Sequence, residues 1–185
     1  SRIAALFGFV QIAKQHAIPT LLDLCSDAEL LPWTIRAVAD LDAVANPDFL
    51  DILRRSLSAT KPRVILEALV ASARAGDIVW GNSDEIASSG ERATVDALQK
   101  VADAVALHLG SRDPVLQHTA SLALSKLRGT EQALAVLKSD NASDSAKQHA
   151  VYALHDRHSI PVIQRLIREL ESPNCPVGLR EHLHQ

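Results

Sequence analysis

Small and apolar residues recur along this chain at helical spacing, and one short pattern returns several times. Ala120, Ala123, Leu124 and Leu127 spell A-x-x-A-L-x-x-L, and Ala150, Ala153 and Leu154 repeat it thirty residues on. Ala68, Ala71 and Ser72 give a weaker copy, and Ala37, Leu41 and Val44 another. Ala5, Gly8, Phe9 and Ile12 give a version of small and large side chains. The anchors run 5, 37, 68, 120, 150 and then Leu183, in steps of 32, 31, 52, 30 and 33. Such spacing draws one face of an α-helix. Its return at a period near 31, broken once, predicts stacked helical units with one insertion.

Prolines punctuate the pattern. Pro19, Pro32, Pro47, Pro62, Pro114, Pro161 and Pro176 each stand at the start of an apolar-periodic run. Proline suits the first helical turn, where its missing N–H has no intrahelical partner to lose. Asn46 and Asp113 precede two of them as capping side chains. These signals predict about eleven helices, over 2–14, 18–25, 30–44, 47–58, 62–75, 94–109, 113–127, 130–139, 144–157, 160–171 and 176–185. They pair as an outer and an inner helix, which makes the chain all-α. The long step holds the segment 76–93, with Gly76, Gly81, Gly90, several serines and Trp80. It is too polar and glycine-rich for a core helix and reads as an inserted loop.

The run from Asp113 through Pro114 to Ala120, Ala123, Leu124 and Leu127 resembles the inner helix of a HEAT repeat, of the short kind shared with phycobilisome lyases. That family's pattern is D-P-x-V-R-x-x-A-x-x-A-L-x-x-L. Gln117 stands where arginine is typical, and Lys147 and Arg180 hold that place in the next two units. The resemblance implies a right-handed α-solenoid of five to six helix pairs over 1–185, interrupted by the loop at 76–93. Three further stretches, beginning at Val115, Tyr152 and Leu179, resemble the HEAT-rich region of large multidomain proteins of Planctomycetes and their relatives. Those proteins are typically exported and carry a dehydrogenase-like propeller with a c-type cytochrome domain. That resemblance implies a periplasmic or extracellular spacer or docking segment. HEAT units serve many roles, so the fold alone names no activity.

Composition narrows the picture. Apolar residues make up 47% of the chain and aromatics only 3%, so alanine and leucine carry the core. The net charge is −3 and no basic stripe is visible, which argues against a nucleic-acid partner. No run of eighteen apolar residues occurs, so no membrane span is expected. The sequence contains no methionine and opens inside a helical pattern, which reads as a piece of a longer protein. Cys25 and Cys175 lie 150 residues apart, too far in a linear stack for a disulfide, and read as half-buried thiols.

Candidate chemistry is sparse. His155 and His158 are three residues apart and are weak candidates for a metal pair, opposed by a helix C-terminus that favours the protonated ring. His182 and His184 point in different directions. His149 and His182 each precede an anchor and suit hydrogen bonding between units. No His-Glu dipeptide occurs, as the di-iron hydroxylases built on HEAT units would require. Trp33 lies seven residues before Asp40, the aromatic–acid pairing of a HEAT-like glycosylase, yet aligns with the core stripe. No nucleophilic triad and no phosphate loop can be identified. The inserted loop is the best binding candidate, with Trp80, Asn82, Asp84 and Glu85 combining an amphipathic ring with acceptors. The expected function is a non-catalytic scaffold that meets a protein partner or neighbouring domains, with no cofactor. The enzymatic alternative is a bilin lyase or chaperone, or a metal-dependent hydroxylase.

Overall fold

The computed structural model describes residues 1–81, 89–155, 160–172, 175 and 180. Among them are ten α-helices, two short 3₁₀ turns and no strand. The helices are α1 (Arg2–Ala13), α2 (Ile18–Leu24), α3 (Leu31–Asp40), α4 (Pro47–Ser56), α5 (Pro62–Trp80), α6 (Ser89–Ala106), α7 (Pro114–Lys126), α8 (Thr130–Lys138), α9 (Asp144–His155) and α10 (Ile160–Glu171). The expected helix over 176–185 lies outside the described residues.

The ends of the helices follow from their capping residues. Asn46 Oδ1 accepts from the backbone N–H of Asp48 at 2.9 Å and Phe49 at 3.3 Å, and Pro47 takes the first helical position. Asp113 does the same for α7 through Val115 at 2.9 Å and Leu116 at 3.4 Å. At the other end, α3 and α7 share one closing motif. The N–H of Ala43 donates to Val38 O at 3.3 Å and that of Asp42 to Ala39 O at 3.2 Å. Gly129 donates to Leu124 O at 3.0 Å and Arg128 to Ser125 O at 3.1 Å. Asp42 and Arg128 occupy the left-handed position, with φ of 55° and 59°. Glycine is usual there, because a Cβ crowds the following carbonyl.

The helices form two rows. In the first, α1 packs on α3, α3 on α5, α5 on α7 and α7 on α9. In the second, α4 packs on α6 and α6 on α8, and each of these helices also leans on a member of the first row. The ion pairs Arg165–Glu131 at 2.8 Å and Lys138–Glu169 at 2.5 Å tie α10 to α8. The core runs between the rows as one continuous cluster of alanines, leucines and valines.

The anchor alanines Ala68, Ala120 and Ala150 are fully buried, as are Ala37, Ala71 and Ala123. Their closing motifs correct the register of α3. Matching Val38 with Leu124 puts Thr34, Ala37, Val38 and Leu41 opposite Ala120, Ala123, Leu124 and Leu127. The anchor of α3 is therefore Thr34, which is buried and donates its hydroxyl to Leu30 O at 3.0 Å. In α1 the copy built on Ala5, Gly8, Phe9 and Ile12 faces outward instead. Leu6 is buried there, with Ile3, Phe7 and Val10 packed beside it. An element apolar all round gives periodicity nothing with which to choose a face.

The segment 76–93, expected as an inserted loop, is helical in part. Helix α5 runs on to Trp80 and α6 begins at Ser89. Gly76, expected as the start of the loop, is buried inside α5. A Cβ built on it would stand 2.3 Å from Lys126 O and 2.9 Å from Leu127 N, so the glycine lets α5 reach the backbone of α7. The residue that ends α5 is Gly81, with φ of 46°.

Candidate functional site

With Thr34, Ala68, Ala120 and Ala150 as equivalent anchors, the second residue after each falls on the opposite side of its helix. Those residues are Arg36, Val70, Leu122 and Tyr152, and all four are exposed. Val70, Leu122 and Tyr152 are large apolar groups left 38–47% exposed at matching positions of three successive helices. Singly exposed apolar residues are ordinary, whereas a row of them at matching positions calls for a reason.

Two grooves open along this face. Between α3 and α5 a groove of about 260 Å³ is lined by Arg36, Asp40, Leu66, Glu67, Val70 and Arg74. Between α7 and α9 one of about 300 Å³ is lined by His118, Ser121, Leu122, Tyr152 and His155. The first is rimmed by ion pairs: Arg74 to Asp40 at 2.5 Å, Arg36 to Asp40 at 3.9 Å and Arg63 to Glu67 at 3.4 Å. Beside it Trp33 is half buried. Its ring stands nearly perpendicular to that of Phe7 at 6.3 Å between centroids, and the Arg63 guanidinium lies 3.9 Å from its centroid. Trp33 was expected in the core stripe. The corrected register moves it one residue before the anchor, to the rim of the row.

Polar side chains lock the spacing of the helices beneath this face. Gln117 is buried and donates to Leu109 O and to Ser145 Oγ, each at 2.7 Å. Ser121 Oγ donates to His149 O at 2.7 Å. The His149 and Tyr152 rings meet in a T-shaped pair at 5.5 Å between centroids, and Gln148 Nε2 donates to the Tyr152 hydroxyl at 2.7 Å. Tyr152 is thus oriented by two neighbours although half its surface is free.

The sequence-derived candidates fall elsewhere. Trp80 is 9% exposed at the end of α5, with the Arg128 guanidinium 4.5 Å from its ring centroid. Its Nε1 is buried and has no hydrogen-bond partner among the described residues. Asn82, Asp84, Glu85 and His158 lie outside the described residues, as do His182 and His184. His155 is exposed at the end of α9. Among the described residues no three histidine, cysteine or acidic side chains are placed to hold a metal ion. No helix among them is long and apolar enough to cross a membrane. Asp40, the acid considered with Trp33, is engaged by Arg74 and Arg36.

A third groove, of about 290 Å³, lies on the second row between α2 and α4 and is lined by Leu22, Cys25, Ile52 and Arg55 among others. Cys25 is a free thiol whose pKa burial pushes up to about 12, against a weaker opposing pull from Arg55. A thiol held protonated is a poor nucleophile and a poor metal ligand.

The stripe of Val70, Leu122 and Tyr152 escaped the sequence reading. The signal was present, since each lies two residues past an anchor already in register, but a large apolar side chain at helical spacing reads as core until its exposure is known. No family model matches the chain, and no curated protein matches it in sequence.

Proposed function

We propose that this chain is a HEAT-like helical-repeat module, a right-handed α-solenoid of five to six units, whose first-row face docks an extended segment of another protein or of a neighbouring domain. The observation that carries this reading is the row Arg36, Val70, Leu122 and Tyr152, with a groove on either side of the α5–α7 pair. Helices in contact lie about 8–10 Å apart, so four of them carry a stripe roughly 25–30 Å long. An extended peptide covers that in about eight or nine residues. Apolar side chains of the segment would sit against Val70, Leu122 and Tyr152. Acidic or amide groups would meet Arg36 and Arg63 at the α3–α5 end. The function is binding rather than catalysis, and it needs no cofactor. In this proposal residues 82–88 take no part in binding, and Trp80 packs under the Arg128 guanidinium at the end of α5.

The test is selection of peptides from a displayed random library on the immobilised chain, followed by affinity measurement with variants. Leu122→Ser and Tyr152→Ser together should weaken a selected peptide at least tenfold, because large apolar anchors dominate such interfaces. Asp51→Ala on the second row should leave it unchanged, as should deletion of 82–88. Equal binding by the first-row variant would refute the proposal.

A further inference from the structure

The groove between α3 and α5 holds a carboxylate that its own fold leaves short of partners. Glu67 is only 9% exposed, yet one donor reaches it among the described residues, Arg63 Nη2 at 3.4 Å, which is long for a hydrogen bond. The same guanidinium lies over the Trp33 ring at 3.9 Å. Glu67 Oε2 accepts no hydrogen bond among the described residues, although a carboxylate has room for about four. The carboxylate lines the groove, so water can serve it in the free protein. A ligand that displaces such water must replace its hydrogen bonds. Across the groove stands Arg36. It is exposed, comes no nearer to Asp40 than 3.9 Å, and makes no hydrogen bond among the described residues, while Arg74 holds the same acid at 2.5 Å. With Thr34 and Ala68 as equivalent anchors, Arg36 lies opposite Val70, one helical turn from Glu67. The groove thus offers a spare acceptor at its floor and spare donors at its rim.

We propose that this groove reads an asparagine or glutamine side chain of the docked segment, whose NH₂ donates to Glu67 Oε2 and whose carbonyl accepts from Arg36. This rests on the first-row face being a docking surface, and it narrows the acidic or amide groups named for that end to the amide. Every other side-chain chemistry fails one of the two partners. A carboxylate suits Arg36 but lies against Glu67 with no proton to share. An ammonium or guanidinium suits Glu67 but adds a cation to Arg36, Arg63 and Arg74, which already outnumber Asp40 and Glu67. An apolar chain covers both polar groups and returns nothing for their lost water. A hydroxyl donates and accepts through a single atom, so both partners must converge on it. The carboxamide holds its donor and acceptor on separate atoms and can bridge from floor to rim.

Peptides selected from a random library on the immobilised full chain test this. They should share one asparagine or glutamine, and each is resynthesised with the matching acid and with lysine at that place. Either replacement should weaken binding about tenfold or more, since it leaves a charged group unmatched. On a Glu67→Gln chain the acid peptide should gain, and the ratio of acid to amide affinity should rise about tenfold or more, a coupling that separated sites do not show. Arg36→Met, at an exposed position and keeping most of the stem, should weaken the amide peptide about fivefold with the melting midpoint unchanged. Peptides that need Leu122 and Tyr152 yet bind alike with amide, acid or lysine would overturn the carboxamide and leave the docking face standing. So would an acid-to-amide ratio that is the same on the parent and Glu67→Gln chains. Peptides indifferent to Leu122→Ser with Tyr152→Ser would overturn both.

Discussion

Replacing Gly76 by alanine would separate a packing role from a loop role for this residue. In an exposed helix the change stabilises, because alanine is favoured over glycine by about 1 kcal/mol. At Gly76 the added Cβ would lie 2.3 Å from Lys126 O, 2.5 Å from Lys126 C and 2.9 Å from Leu127 N. All three are backbone atoms, so no side chain can swing aside, and α5 and α7 must part locally by about 1 Å to restore an ordinary contact distance. Overpacking of this kind costs about 1–3 kcal/mol, and fixed backbone on both sides places it at the upper end. After the propensity gain, a net loss of about 2 kcal/mol remains. In urea, with a slope of about 2–3 kcal/mol/M for a chain of this size, the midpoint should fall by roughly 0.7–1 M with the slope unchanged. Gly8→Ala is the control. Its Cβ meets open space, so that variant should be more stable by up to about 1 kcal/mol. A Gly76→Ala protein as stable as the parent, or more so, would refute the close approach of α5 and α7.

Arg128→Ala should destabilise more than Arg128→Gly, by about 1 kcal/mol in the same assay. Both lose the guanidinium over Trp80, but only glycine relieves the left-handed backbone at φ 59°. The Glu169 carboxyl is held below its ordinary value of 4.5 by hydrogen bonds from Lys138 and then Arg165. Its contribution is therefore present above the ordinary carboxyl range and lost as pH falls through the lowered native value. Glu169→Gln should cost about 1 kcal/mol at pH 7 and flatten the acid side of the melting profile. In a Cys175→Ser background, alkylation of Cys25 at pH 8 should be at least about a hundredfold slower in the native protein than in urea, because burial keeps the thiol protonated.

Most helix limits were legible because they rest on local chemistry. Asn46–Pro47 and Asp113–Pro114 announce α4 and α7 through side chain and backbone alone: α4 begins at the expected Pro47, and α7 at Pro114, one residue after the expected start. What escaped depends on a neighbouring helix. Gly76 looks like a loop glycine until α7 is beside it, since a breaker and a close approach use the same residue. Arg128 occupies a left-handed cap that sequence rules assign to glycine, and the Trp80 ring that receives its guanidinium is far away in the chain. The copy in α1 was assigned to the wrong face because nearly every position of that helix is apolar. The exposed row was hidden for a related reason: Val70, Leu122 and Tyr152 look like core residues at helical spacing although each lies two residues past an anchor, and only Thr34 in place of Ala37 adds Arg36 to them.

The most direct test of a first-row docking face is the pattern of backbone amide chemical-shift changes when a selected peptide is titrated into the isotope-labelled chain. The account predicts that the largest changes fall around Arg36, Val70, Leu122 and Tyr152 on α3, α5, α7 and α9. Changes confined to 81–89, or to α4, α6 and α8, would contradict it.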